Sequence, residues 1–147
     1  MLLALDPGNE IGWALLTKKG KLIETGSIKP QLSRLELVAA LEVLPGDIEA
    51  TQIAMEELIA YGTNTDSERF KVEGIIEYWA ELEGKTIYPM HPGTVKKLIT
   101  GKGNCRKADM RRALKDRVEI PGRSNAHIVD AVAVGLAYLI QHEDFLL

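Results

Sequence analysis

The sequence predicts a mixed α/β domain, one sheet with helices on both faces. Three observations carry this. Three short apolar segments open the chain and are separated by tight turns, the pattern of an antiparallel meander. Helical and strand-like segments then alternate, and a long apolar helix closes the sequence. The 147 residues suit a single domain spanning 1–147, and a hydrophobic content of 46% can fill its core.

The elements follow in order. LLALD (2–6) is a short buried strand, and IGWALLT (11–17) is a second, joined through a KKG turn to KLIETGSI (21–28). Ser33 stands three residues before Glu36, the spacing of a capping box, so a helix runs through RLELVAALEVL and stops before Pro45-Gly46. TQIAMEE (51–57) is a fourth strand. SERFKVEGIIEYWAELEG is a helix with Asp66 or Ser67 as its cap and Gly84 as its stop. TIYPM (86–90) is a fifth strand. HPGTVKKLIT begins a helix with Pro92 in its first turn, CRKADMRRALKDR is a short basic helix, and NAHIVDAVAVGLAYLIQ (about 125–141) is the last.

Bulk properties narrow the function classes. No apolar run reaches the ~18 residues of a membrane span, and no basic region followed by an apolar one marks the N-terminus as a secretory signal. No membrane partner is therefore expected. The single cysteine, Cys105, reads as a free thiol in a surface loop, consistent with a reducing compartment and a cytoplasmic location. The net charge of −3 conceals a strong asymmetry. Residues 36–83 hold twelve acids and two bases, Arg69 and Lys71, whereas residues 94–117 hold nine bases and two acids. The local excess of +7 is the field a polyanion would meet.

The acids fall at element ends. Asp6 closes an apolar strand, just before Pro7 and Gly8, where an unpaired charge would cost several kcal/mol. Glu56 and Glu57 close the fourth strand, and alternation sends them to opposite faces. His127 and Asp130, three apart, share a face of the last helix. Taken singly, each has an ordinary explanation: a turn cap, an exposed strand end, a helix-end histidine. Asp130 within so apolar a helix is the hardest to explain that way. A shared cation explains all of them, because carboxylates suit Mg²⁺ or Mn²⁺. Two such ions can clamp the attacking and leaving oxygens of a phosphodiester.

LALDPGNEIGWALL, IAMEE, TVKKLITGKGNCRKADM and HIVDAVAVGLAYL, in this order, resemble RuvC-type Holliday-junction resolvases from Leu2 to about Tyr138. The resemblance implies an RNase H-like fold. Its five-stranded mixed sheet has the order 3-2-1-4-5, with the first three strands antiparallel and helices on both faces. It implies a homodimer acting on four-way or branched DNA, with two Mg²⁺ or Mn²⁺ ions per active site. The catalytic and metal positions fall on Asp6, Glu56 rather than Glu57, His127 and Asp130. Lys96 and Lys107 would contact the phosphates flanking the scissile bond. Lys97, Lys102, Arg106, Arg111 and Arg112 would meet the backbone more generally. Where the family places a base-stacking aromatic, this chain has Ile59, with Tyr61 two residues on as the stacking candidate. The short chain resembles phage-encoded resolvases, for which host cytoplasm is the implied site of action.

A crossover-junction endonuclease leaving 5′-phosphate ends is thus expected. A C2 dimer would present two sites matched to the junction's symmetry, and Phe70, Ile75, Ile76 and Trp79 of the 67–83 helix are either available for its interface or packed on the sheet. The alternatives are a nuclease of the YqgF type acting on structured RNA and a branched-DNA-binding protein that does not cut. A nucleotide-binding module of the actin or sugar-kinase type would need a second domain, for which the chain is too short.

Overall fold

A computed structural model describes residues 1–8, 10–29, 33–45, 50–59, 64–122 and 124–142. Strands β1 (Leu2–Asp6), β2 (Ile11–Leu16) and β3 (Leu22–Ile28) form the expected meander. Then come α1 (Arg34–Glu42), β4 (Gln52–Glu56), α2 (Asn64–Leu82), β5 (Thr86–Met90), α3 (Pro92–Thr100), α4 (Lys107–Lys115) and α5 (Ala126–His142). The sheet order is β3-β2-β1-β4-β5, with β1, β4 and β5 parallel. Pro89 is tolerated because β5 is an edge strand, bonded to β4 alone.

Local chemistry sets most boundaries. The capping box of α1 is formed: the Glu36 N–H donates to Ser33 Oγ and the Ser33 N–H to Glu36 Oε1, each at 3.2 Å. His91 caps α3 through Nδ1, which accepts from the Gly93 N–H at 3.0 Å, and Gly101 ends that helix at φ +84°. Asp66 and Ser67 are not caps, because α2 begins earlier, at Asn64. Likewise α4 begins at Lys107, two residues later than its apolar and basic pattern suggested. There the Asp109 carboxylate accepts from the Arg106 N–H at 3.1 Å.

Strand alternation divides the core into two layers. Leu3, Leu5, Trp13, Leu15, Ile53 and Met55 pack under α1 and α2. Leu2, Ala4, Ala14, Leu16 and Ala54 face α5, which α3 and α4 flank. The small residues on the α5 face let that helix lie very close to the sheet. A Cβ on Gly135 would come within 2.6 Å of Leu16 Cδ1 and 3.0 Å of the Ala4 Cβ. The α1–α2 layer decides the interface expectation. Ile76 and Trp79 are fully buried against the sheet and are core residues; Ile75 is half-buried, and of the four only Phe70 is exposed. No helix among the described residues is long and apolar enough to cross a membrane.

Candidate active site

Parity in β1 places Asp6 on the same face as Leu2 and Ala4, toward α5, and parity in β4 does the same for Glu56 beyond Ala54. Because β1 and β4 are parallel neighbours, the two carboxylates meet at one end of the sheet. Glu57 has the opposite parity and is exposed; its N–H donates to Met90 O at 2.8 Å, extending the β4–β5 ladder. The choice between the two glutamates is therefore made by the pleat.

The first turn of α5 delivers the other pair. Asn125 closes that turn, accepting from the Ile128 N–H at 3.0 Å. Beneath it, Gly12 lets β2 touch the helix backbone: a Cβ there would fall 1.9 Å from the His127 carbonyl oxygen. His127 stands between two carboxylates, with Nδ1 3.8 Å from Asp6 Oδ2 and Nε2 3.7 Å from Glu10 Oε2. Glu10 is itself held, accepting from Ser27 Oγ at 3.1 Å and from Asn125 Nδ2 at 3.4 Å.

Asp6 is the only buried charged residue among those described, at 7% exposure. Burial raises the affinity of Asp6, Glu56 and Asp130 for protons, as removal from water does for any carboxylate. Glu56 is pushed up to about 8, by burial first and then by its hydrogen bond to Asp6 and the Asp6 charge. The same hydrogen bond lowers Asp6, and a hydrogen bond between two carboxyls requires that they share one proton. For Asp130 the causes are burial and then the Glu56 charge, opposed by Lys107, His127 and Arg111.

Beside Asp6 lies a cleft of about 220 Å³, lined by Glu56 and Asp130 together with Lys96, Arg106, Lys107 and Arg111. Asp6 and His127 do not line it. Nor do Lys97, Lys102 or Arg112; Arg112 is exposed and lies 3.8 Å from Asp109. Cys105 is free and lies in the loop between α3 and α4, as expected; it also lines this cleft. Ile59 is half-buried, and Tyr61 lies outside the described residues.

Two residues at the site were not singled out from the sequence. Glu10 has no pattern that marks it; only the return of β2 and the start of α5 bring it to His127. Arg69, counted only as a base within an acidic stretch, projects its charge onto Asp6 and Glu56 and lowers both. Its place as one of only two bases in an acidic stretch was the available signal.

Among the described residues, no three His, Cys, Asp or Glu side chains stand in the spacing of a finished metal site. Asp6 and Glu56 are arranged around a shared proton instead. The donor chemistry still fits a hard divalent cation, because three adjacent carboxylates are driven toward protonation by burial that a cation would offset.

This shared proton predicts a pH-dependent stability. Folded Glu56 titrates near 8 against 4.5 for an ordinary glutamate, so between these values the folded chain holds more protons. The resulting stability is present in full below pH 4.5 and is lost as pH rises through 8. Without added metal, the wild type should lose roughly 2–4 kcal/mol by about pH 8.5, allowing for solvent screening. That corresponds to a Tm about 5–10 °C lower than at about pH 5. Glu56→Gln should flatten that dependence. Mg²⁺ or Mn²⁺ at about pH 8.5 should restore the wild-type Tm and do little for the variant. A wild-type Tm that does not move across this range would remove the shared proton.

The sheet order and its mixed strand directions, with α5 packed across β1, β2 and β4, define an RNase H-like fold. The fold is that of Holliday junction resolvases of known structure. Thermus thermophilus RuvC superposes with a TM-score of 0.78 at 20% identity, covering 98% of this chain and 96% of that chain. The same protein in complex with a Holliday junction substrate gives 0.82 at 18% identity, with the same coverage. The Fowlpox virus resolvase, solved with substrate Holliday junction DNA, gives 0.61 at 12% identity over 96% of this chain and 99% of that one. No family model matches the chain, and no curated protein matches it by sequence. At these identities the likeness establishes the fold.

Proposed function

We propose that this chain is a metal-dependent, structure-selective endonuclease that resolves Holliday junctions and related branched DNA. The observation that carries this is the meeting of Asp6, Glu56 and Asp130 beside a cleft lined by four cations, on a fold shared with two resolvases. Asp6, Glu56 and Asp130 would hold two Mg²⁺ or Mn²⁺ ions, with His127 as a further ligand or as the group that orients the attacking water. Such ions, when bound, neutralise the acids and supply Lewis-acid activation of water and phosphate.

The chain's own residues do the rest. Glu56 would be ionised when it holds an ion, releasing the proton it shares with Asp6. His127, set between Asp6 and Glu10, is placed to hold a proton near the nucleophile. Lys96 and Lys107 contact phosphates flanking the scissile bond and offset the charge that builds in the transition state. Arg106 and Arg111 continue that contact along the cleft. Water attacks phosphorus, the bond to the 3′ oxygen breaks, and the products carry 5′-phosphate and 3′-hydroxyl ends. Paired cuts call for a C2 homodimer whose two sites share the junction's symmetry. A cytoplasmic place of work belongs to the same proposal.

The test is cleavage of a labelled four-way DNA junction with Mg²⁺ or Mn²⁺, beside EDTA, a linear duplex and a Y-fork. Paired symmetric nicks at the junction, lost in EDTA, are expected. Tight binding without cutting would instead make the chain a branched-DNA-binding protein. Neither binding nor cutting of DNA would turn the assignment toward structured RNA.

A further inference from the structure

A second basic groove lies away from the carboxylates. The pairing of Leu2 with Leu16 and of Asp6 with Gly12 puts the β2–β3 turn at the end of the sheet opposite the candidate active site. That turn and the segment after α4 enclose about 670 Å³. The groove wall carries Lys19, Lys21 and Arg117 against one acid, Glu119. Both lysines sit on a turn with a fixed backbone. The Thr17 N–H donates to Lys21 O and the Gly20 N–H to Thr17 O, each at 2.9 Å, and Gly20 takes φ +83°. The Lys21 N–H is shared with Thr17 Oγ1 at 3.1 Å.

Arg117 is the more telling residue. Its backbone is pinned by donation to Leu114 O at 3.0 Å, and its Nη1 is buried with no hydrogen-bond partner among the described residues. The guanidinium adds a third positive charge to the groove wall, with a fork of donors suited to a phosphate. A run of bases on α4 links the groove to the cleft. Lys107, Arg111 and Lys115 recur every four residues along α4, so they form one stripe that begins in the cleft and ends two residues before Arg117. At ~1.5 Å rise per residue, Lys107 and Lys115 stand about 12 Å apart, the axial length of roughly four base pairs.

We infer that the Lys19, Lys21 and Arg117 groove binds the phosphate backbone of a duplex DNA arm, several base pairs from the crossover, and anchors that arm against the protein. This rests on the reading of the chain as a nuclease of branched DNA. An open groove at the end of a basic stripe suits a continuous polyanion better than a free phosphate. The contact would carry no sequence information; it would position the arm.

The test uses the full chain bound to a four-way junction in Ca²⁺, followed by hydroxyl-radical footprinting and salt titration. The wild type should protect the crossover and a separate backbone patch at least about four base pairs along an arm. Lys19→Ala/Lys21→Ala should lose the distal patch, keep the crossover protection, and lower the slope of log affinity against log salt by about 2. Lys19→Arg/Lys21→Arg should restore both. An unchanged slope and footprint in the alanine variant, with the junction still bound, would overturn this site alone. Failure of the wild type to bind any DNA would overturn the nuclease reading with it.

Discussion

Asp6→Asn is expected to bind a four-way DNA junction about as tightly as the wild type and to cut it at least ~10³-fold more slowly. The substitution keeps the shape of the side chain and removes its charge. In the wild type, Asp6 is buried and hydrogen-bonded to Glu56, with one proton shared between the two carboxyls. An asparagine amide can donate to Glu56 in place of that proton, but it cannot supply the negative oxygen a divalent cation needs. The fold should not suffer, because a buried charge has been taken away. Gel-shift affinity in Ca²⁺ and single-turnover cleavage in Mg²⁺, read together with Tm, separate these effects. Wild-type cutting by the variant would remove Asp6 from the active site.

Gly12→Ala should damage both fold and chemistry. The added methyl would lie 1.9 Å from the His127 carbonyl oxygen and 2.3 Å from its carbonyl carbon. Both are backbone atoms, so no side chain can swing aside, and the strand or the helix must move. Overpacking of this kind costs ~3 kcal/mol or more, which is about 10 °C in Tm for a chain of this size. The more specific consequence concerns the site. A shift of about 1 Å at the start of α5 carries His127 and Asp130 away from Asp6 and Glu56, and misplacement on that scale costs about 10²-fold in rate. Cleavage measured well below the variant's Tm should therefore still be about 10²-fold down. A variant that melts within about 2 °C of the wild type and cuts normally would show that β2 and α5 are not locked together here.

The Gly12 contact and the Asp6–Glu56 pair also mark how far the chain could be read before it folded. All five strands and five helices were legible, because their signals are local: alternation for the pleat, the Ser33–Glu36 capping box, Pro92 in the first turn of α3. The candidate acids were legible because each breaks a local rule, a charge at the end of an apolar strand or inside an apolar helix. The start of α2 was misread because Asp66 and Ser67 are good caps that the chain passes over as helix. For Ile76 and Trp79 the sequence left interface and core open, because a helix's apolar stripe does not say what covers it. The α1–α2 side of the sheet does so here.

By itself, then, the sequence determined what depends on near neighbours along the chain: the elements, their order, the apolar faces and the unusual placement of Asp6 and Asp130. Only the tertiary structure decided which charges meet. It brought Glu10 to His127 from a loop, brought the Arg69 charge of α2 within reach of Asp6 and Glu56, and turned Lys96, Arg106, Lys107 and Arg111 into the cleft while leaving Lys97, Lys102 and Arg112 outside. The physical reason is the range of the forces. Periodicity and capping act over three or four residues, whereas burial and charge–charge coupling depend on distances that exist only once β1, β4 and α5 have packed.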